Sequence, residues 1–158
     1  SGHSWIKEKM KESGALLGGE FTGHICFRDR WFGFDDALYC AARLLELLAA
    51  ESRTLDELLA ELPRSVATPE IRIEMPEEQK FAAMETISRG FTLDEARLSR
   101  IDGVRAEFAD GWGLVRASNT SAALICRFEG RDEATLARIE AAFLAEIRRL
   151  LPGTNVSF

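Results

Sequence analysis

Between residues 35 and 50, Leu38, Ala41, Leu45 and Leu48 recur at helical spacing, and Leu44 and Leu47 widen the stripe. The spacing predicts a helix over 35–50, with Asp35 and Asp36 placed to complement its positive end. A second helix is expected from Thr54-Leu-Asp-Glu57, a capping-box pattern, to Leu62, where Pro63 stops it. The longest amphipathic stretch runs over 132–151. Leu136, Ile139, Phe143, Ile147 and Leu150 share one face there, and Arg138, Glu140, Glu146 and Arg149 lie mostly off it. Shorter helices are expected over 4–12, with Ser4 as N-cap and Gly14 past its end, and over 76–89, with Pro76 first and Gly90 beyond.

Other runs have the period of a strand. Glu70-Ile-Arg-Ile-Glu-Met75 alternates strictly. Apolar runs at 97–101, 104–108, 112–115 and 122–128 follow, and Asp102-Gly103 and Asp110-Gly111 are hairpin-turn dipeptides between them. Nearer the start, 15–17 and 25–27 bracket a glycine-rich turn. Composition shifts around 64–69, and a domain boundary is expected there. The second part, 64–158, reads as strand, helix, antiparallel strands, helix: an α+β sandwich with helices on one face of a sheet.

Composition narrows the function classes. A chain of 158 residues makes one ordinary domain or two small ones and buries a core without disulfides. The formal net charge of −6 argues against nucleic acid or an anionic membrane as main partner. Cys26, Cys40 and Cys126 each sit in an apolar stretch, far from one another in sequence. They read as reduced, buried thiols of a cytoplasmic protein, with no metal site. Neither a signal peptide nor a bilayer-spanning run is expected. The opening Ser1-Gly-His-Ser4 has no initiator Met and runs straight into a helical pattern. A tag scar or an internal cut would explain this, and the second would make the chain a fragment.

Two polar loops stand out. Gly18-Gly-Glu20-Phe-Thr22-Gly-His24 contains three glycines in seven residues, and Glu20, Thr22 and His24 alternate within it. In an extended segment these three would project the same way, and a carboxylate, a hydroxyl and an imidazole converging on one point suit a polyhydroxylated ligand. A polar β-turn with a stray histidine fits the pattern as well. The second loop, Arg116-Ala-Ser-Asn-Thr-Ser121, lies between apolar runs and has neither Gly nor Pro. Arg116 can offer a bidentate guanidinium, and Ser118, Asn119, Thr120 and Ser121 further donors, to a phosphate. A hydrophilic hairpin connection fits this composition too. Walker-type and dinucleotide-binding glycine loops are absent, as are clustered metal ligands.

Taken in order, Gly2-His-Ser-Trp-Ile-Lys-Glu-Lys-Met10, Gly19-Glu-Phe-Thr-Gly-His24, Arg30-Trp-Phe-Gly-Phe-Asp-Asp36 and Arg116-Ala-Ser-Asn-Thr120 resemble the C-terminal part of the α-D-phosphohexomutase superfamily, in its bacterial mannose/glucose type. The likeness covers essentially the whole chain. It implies that 1–63 is the tail of a third, α/β domain and that 64–158 is a complete fourth domain with a TATA-box-binding-protein-like α+β fold. Members of the superfamily move a phosphoryl group between O1 and O6 of a hexose through a bisphosphorylated sugar.

The resemblance implies roles. Glu20, Thr22 and His24, with His3, would contact sugar hydroxyls; Arg116, Ser118, Asn119 and Thr120 would hold the phosphate that is not transferred. The family usually has Ser where Thr22 stands. Its phosphoserine motif and its Asp-Gly-Asp-Gly-Asp loop for Mg²⁺ belong to the first two domains and do not occur here. The implication is a fragment with no catalytic residue, metal ligand or cofactor of its own, inactive alone. Its partners would be a hexose phosphate and the N-terminal domains of the same protein, with Mg²⁺ and a hexose 1,6-bisphosphate needed by the whole enzyme. Phosphoglucosamine mutases tend to carry Gln at the place of Phe21 and a Ser-Gly-Thr-Glu phosphate loop, so the likeness is to the mannose/glucose type. The competing expectation is a stand-alone interaction module, its polar loops ordinary turns and Trp31, Phe32 and Phe34 part of a docking patch.

Overall fold

A computed structural model describes residues 2–154 and 156. It divides into two compact units, Ser1–Pro63 and Arg64–Phe158.

The first unit contains helix α1 (His3–Ser13), strands β1 (Leu17–Gly19) and β2 (Ile25–Phe27), and helices α2 (Ala37–Ala50) and α3 (Leu55–Leu59). Helix α1 starts one residue before the expected cap: the Gly2 carbonyl accepts from the Trp5 and Ile6 N–H groups, and no side chain caps the end. β1 and β2 form an antiparallel hairpin, Leu17 opposite Phe27 and Gly19 opposite Ile25. The first strand lies two residues later than its apolar run, and Gly18 within it lets α1 approach closely. A Cβ there would stand 2.6 Å from Met10 Sδ and 2.8 Å from Ile6 Cγ2.

Helix α2 begins at Ala37, not Asp35. The Asp36 carboxylate accepts from the Tyr39 N–H at 3.0 Å and caps it, which leaves Asp35 outside the helix. Its leucine stripe is not buried: Leu38 is 85% and Leu45 67% exposed. A groove of about 520 Å³ lies open between α2 and β2, lined by Ile25, Phe27, Cys40, Ala41, Leu44 and Leu47 among others. Amphipathicity marks a face that wants cover, and the described residues of this unit do not cover it. Cys26 is buried as expected, but Cys40 is only half-buried, donating to the Ile25 carbonyl.

The second unit comprises β3 (Val66–Ala67), β4 (Ile71–Glu74), α4 (Glu77–Gly90), β5 (Arg97–Ser99), β6 (Val104–Phe108), β7 (Gly111–Ala117), β8 (Ala123–Gly130) and α5 (Glu133–Leu150). The strands form one antiparallel sheet in the order β3-β8-β7-β6-β5, with β4 also on β8. Strand β3 falls where only a boundary was expected; two residues are too few to carry a period. Alternate residues Val104, Ala106, Val115, Leu124, Cys126 and Phe128 form one buried sheet face. Met84 and Ile87 of α4 and Leu136, Ile139, Phe143 and Ile147 of α5 pack on it. This is the α+β arrangement of an antiparallel sheet with helices on one face. No helix among the described residues is long and apolar enough to cross a membrane.

Phe143 meets Phe128 edge-on at 5.2 Å and Phe91 at 4.8 Å between ring centroids. Gly113 makes room for it: a Cβ would run into the Phe143 ring and lie 2.9 Å from Phe128 Cδ1. Gly113→Ala is expected to destabilise the second unit by about 1–3 kcal/mol through overpacking. Urea unfolding measures this, and an unchanged midpoint would contradict the packing described.

Candidate functional site

The first polar loop is a tight turn, not an extended segment. The Gly23 N–H donates to the Glu20 carbonyl at 3.0 Å, and the Glu20 N–H donates to the His24 carbonyl at 3.0 Å. Gly23 has φ 88°, a left-handed conformation that glycine adopts without cost. Glu20, Thr22 and His24 therefore do not share a face by alternation. Glu20 and His24 flank the turn, 4.0 Å apart between Oε1 and Nε2, with Thr22 exposed at the tip. The Thr22 side chain makes no hydrogen bond among the described residues.

Asp35 completes the cluster. Its carboxylate lies 2.5 Å from His24 Nδ1, and residue 35 bridges back to Cys26 of β2. The Gly2 N–H donates to the Glu20 carboxylate at 3.3 Å, bringing the start of α1 against the loop. His3, the first residue of α1, is exposed there, close enough for its charge to bear on Asp35. So the structure gathers Glu20, His24 and Asp35, with His3 beside them and Thr22 on the rim. From the sequence Asp35 is expected at the helix end. The available signal was that two acids precede α2 and only one can cap it.

Asp35 raises the His24 pKa above its ordinary value of 6.5, by hydrogen bond and then by charge, and Glu20 adds to this. The same hydrogen bond holds the Asp35 carboxyl below its usual range. Asp35 on Nδ1 leaves Nε2 turned toward Glu20. The edge carries one donor and one acceptor side by side, a pair that suits adjacent hydroxyls.

The second loop joins β7 to β8. Ladder pairing of Ala117 with Leu124 ends the strands, and the Ser118 N–H donates to the Ala123 carbonyl at 2.9 Å. Ser118 is 5% exposed. Its Oγ receives the N–H groups of Thr120 at 3.3 Å and Ser121 at 3.1 Å, and lies 2.8 Å from Ser121 Oγ. Donors thus converge on one point, with a hydroxyl oxygen in it. Asn119 and Thr120 are exposed, and their side chains have no partner among the described residues. Arg116 sits on β7 opposite Ile125, on the sheet face away from the helices. It is half-buried, donates to the Ala117 carbonyl at 3.3 Å and has no carboxylate partner among the described residues.

Lys80 of α4 went unnoticed in the sequence. It is 1% exposed, and its Nζ donates to the Ser121 carbonyl at 3.0 Å and pairs with Glu77 at 2.6 Å. The signal was there: Lys80, Met84, Ile87 and Phe91 fall at i, i+4, i+7 and i+11, so the lysine lies on the buried stripe.

Residues 1–66 match the family model of phosphoglucomutase/phosphomannomutase alpha/beta/alpha domain III, and 70–146 that of the C-terminal domain. The chain belongs to the phosphoglucomutase/phosphomannomutase family. It is 47% identical over 158 residues to a phosphomannomutase/phosphoglucomutase of Pseudomonas syringae pv. tomato, covering all of this chain and 34% of that protein. It is 46% identical over 149 residues to a phosphoglucomutase of Neisseria gonorrhoeae, covering 93% of this chain and 32% of that protein. A crystal structure of a family member from Burkholderia thailandensis superposes with a TM-score of 0.87 at 42% identity, covering all of this chain and 33% of that one. The chain thus spans about a third of the length of these relatives.

Magnesium, which the family resemblance implied for the whole enzyme, has no fitting site here: among the described residues no three of His, Cys, Asp and Glu gather to hold a metal ion.

NMR titration of the His24 imidazole is expected to give a pKa above 6.5, falling toward 6.5 in Asp35→Asn. The His24 contribution to stability is complete below about 6.5 and lost as pH rises through the folded-state value. The Asp35 contribution is lost as pH falls through its lowered value. The pair therefore stabilises only between those limits. A pKa unchanged by Asp35→Asn would remove the assignment.

Proposed function

We propose that this chain is the sugar- and phosphate-recognising part of a phosphohexomutase that interconverts hexose 1-phosphates and hexose 6-phosphates of mannose and glucose, in the cytoplasm, through a bisphosphorylated sugar. Residues 1–63 would be the tail of domain three and 64–158 domain four, the latter TATA-box-binding-protein-like in shape. Glu20, His24, Thr22 and His3 would contact sugar hydroxyls, with Asp35 fixing the tautomer of His24. Arg116, Asn119 and Thr120 would hold the phosphate that stays in place, with Ser118 organising the loop and sharing its hydroxyl.

The observation that carries this reading is the second loop. Backbone N–H groups converge beside an arginine that has no carboxylate partner among the described residues. The serine pattern alone also makes a turn; the guanidinium beside it is what favours a dianion. Membership of the family supports the choice of phosphosugar. Binding at the distal phosphate and at the hydroxyls would position the reacting end without touching it. The phosphoserine nucleophile, Mg²⁺ and the hexose 1,6-bisphosphate would be matters for the N-terminal domains of the whole enzyme. Those domains are also the partner that the exposed leucine face of α2 favours.

A second reading, an interaction module, draws on Phe32, 80% exposed, and its stacked neighbour Phe34. Binding separates the two readings. In the complete protein, Arg116→Ala is expected to weaken glucose 1-phosphate binding about 10- to 100-fold, the loss of charge-assisted hydrogen bonds, with the melting temperature held. Equal affinity by calorimetry would refute the phosphate role. The 158-residue chain alone is expected to give no turnover in a coupled mutase assay, and measurable turnover would refute its assignment as a recognition part.

A further inference from the structure

We propose that Lys80 is a positioning residue of the phosphate loop, holding its shape through Ser121 and standing behind it as a second positive charge. The inference rests on the phosphate reading of that loop.

A lysine on a buried helix stripe is costly, because its charge leaves water. Met or Leu would fill the same place between α4 and the sheet at no such cost. Lys80 does not snorkel out; it is 1% exposed, and its Nζ is spent on two partners. One is Glu77, on its own helix and mostly exposed. The other is the Ser121 carbonyl, 41 residues away in sequence, within the loop that contains Ser118, Asn119 and Thr120. The Phe81 ring, 4.9 Å from Nζ, adds a weakly polar wall.

The Ser121 carbonyl also accepts from the Ala123 N–H at 2.9 Å, while the Ser121 N–H is aimed at Ser118 Oγ. One peptide neighbourhood is therefore held from both sides, by the start of β8 and by Lys80. Fixing that carbonyl anchors the end of the loop whose Thr120 and Ser121 N–H groups point at Ser118 Oγ. These donors then need not reorganise when an anion arrives, which is how a preorganised site gains affinity. The positive charge of Lys80 is partly offset by Glu77. If Lys80 acts on the anion through its charge, removing Glu77 must strengthen binding. A lysine that merely packs predicts a gain no larger than the one from removing the neighbouring Glu78 carboxylate, which makes no ion pair among the described residues.

The test follows the Ser118–Ser121 amides of the 158-residue chain by NMR while methyl phosphate is titrated. Wild type is expected to saturate and Arg116→Ala to bind more weakly. Lys80→Met is expected to lose about tenfold in affinity, the worth of a charge-assisted contact. Glu77→Gln, at an exposed position, is expected to bind about threefold more tightly. The loss in Lys80→Met is expected to be greater at pH 7.5 than at pH 5, because the ester's second ionisation lies near about 6 and only the dianion feels the full charge. If wild type gives no saturable shift at these amides, the phosphate reading of the loop falls and this inference with it. If wild type binds and Arg116→Ala weakens it, while Lys80→Met titrates like wild type, the role of Lys80 alone is refuted. Should Lys80→Met fail to fold, Glu77→Gln decides, with Glu78→Gln as its charge control: affinity no higher than in Glu78→Gln overturns the proposal.

Discussion

Registry between β7 and β8 determines what the second unit can place where. Gly111 stands opposite Gly130 and Ala117 opposite Leu124, and every pair between is fixed by those ends. A slip of one residue would turn Val115, Cys126 and Phe128 out of the core and bring Arg116 in. In the observed register Arg116 emerges on the helix-free face, and the strands run out where the Ser118 to Ser121 loop must turn. Gly113 opposite Phe128 leaves the gap into which Phe143 of α5 fits. Core and polar loop are thus two ends of one ladder, and neither can move without the other.

The first unit depends on a hairpin too short to stand alone. Its two three-residue strands are backed by α1 through Gly18 and tied to the segment after β2 by the bridge from Cys26 to Asp35. Beyond them, Arg43 gathers the 28–34 segment: its guanidinium reaches the Asp29 carbonyl at 3.1 Å and lies 4.6 Å from the centre of the Phe27 ring. Trp31 stacks on Tyr39 at 4.3 Å. These contacts hold Asp35 in reach of His24 without any large core, and the leucines of α2 contribute little to it.

Much of the layout could be read from periodicity. The helices 37–50, 77–90 and 133–150 and the strands from 71 to 130 lie within a few residues of their expected places, since each repeats long enough for its period to show. What escaped was set by contacts distant in sequence. Strand β3 exists only because β8 offers it an edge. The α2 stripe has the right spacing for burial, but spacing does not say whether a cover is present. Alternation at Glu20, Thr22 and His24 suggested an extended segment, and Gly23 bends it instead. Asp35 reads from the sequence as a helix-end charge and Lys80 draws no notice at all, because a partner eleven or forty-one residues away leaves no local mark.

If the proposed phosphate reading holds, Ser118 bears on the kind of ligand its loop would select. The hydroxyl already accepts the N–H groups of Thr120 and Ser121, so these donors are never idle. An incoming oxygen would exchange with one acceptor already in place, and the number of hydrogen bonds would hardly change. Neutral molecules, offering only another acceptor, gain almost nothing by the exchange and lose their freedom in making it. An anion brings charge, which the serine lacks. On the phosphate reading the loop would in effect be plugged by a weak imitation of its guest, and such a plug would screen out everything that is no better than itself.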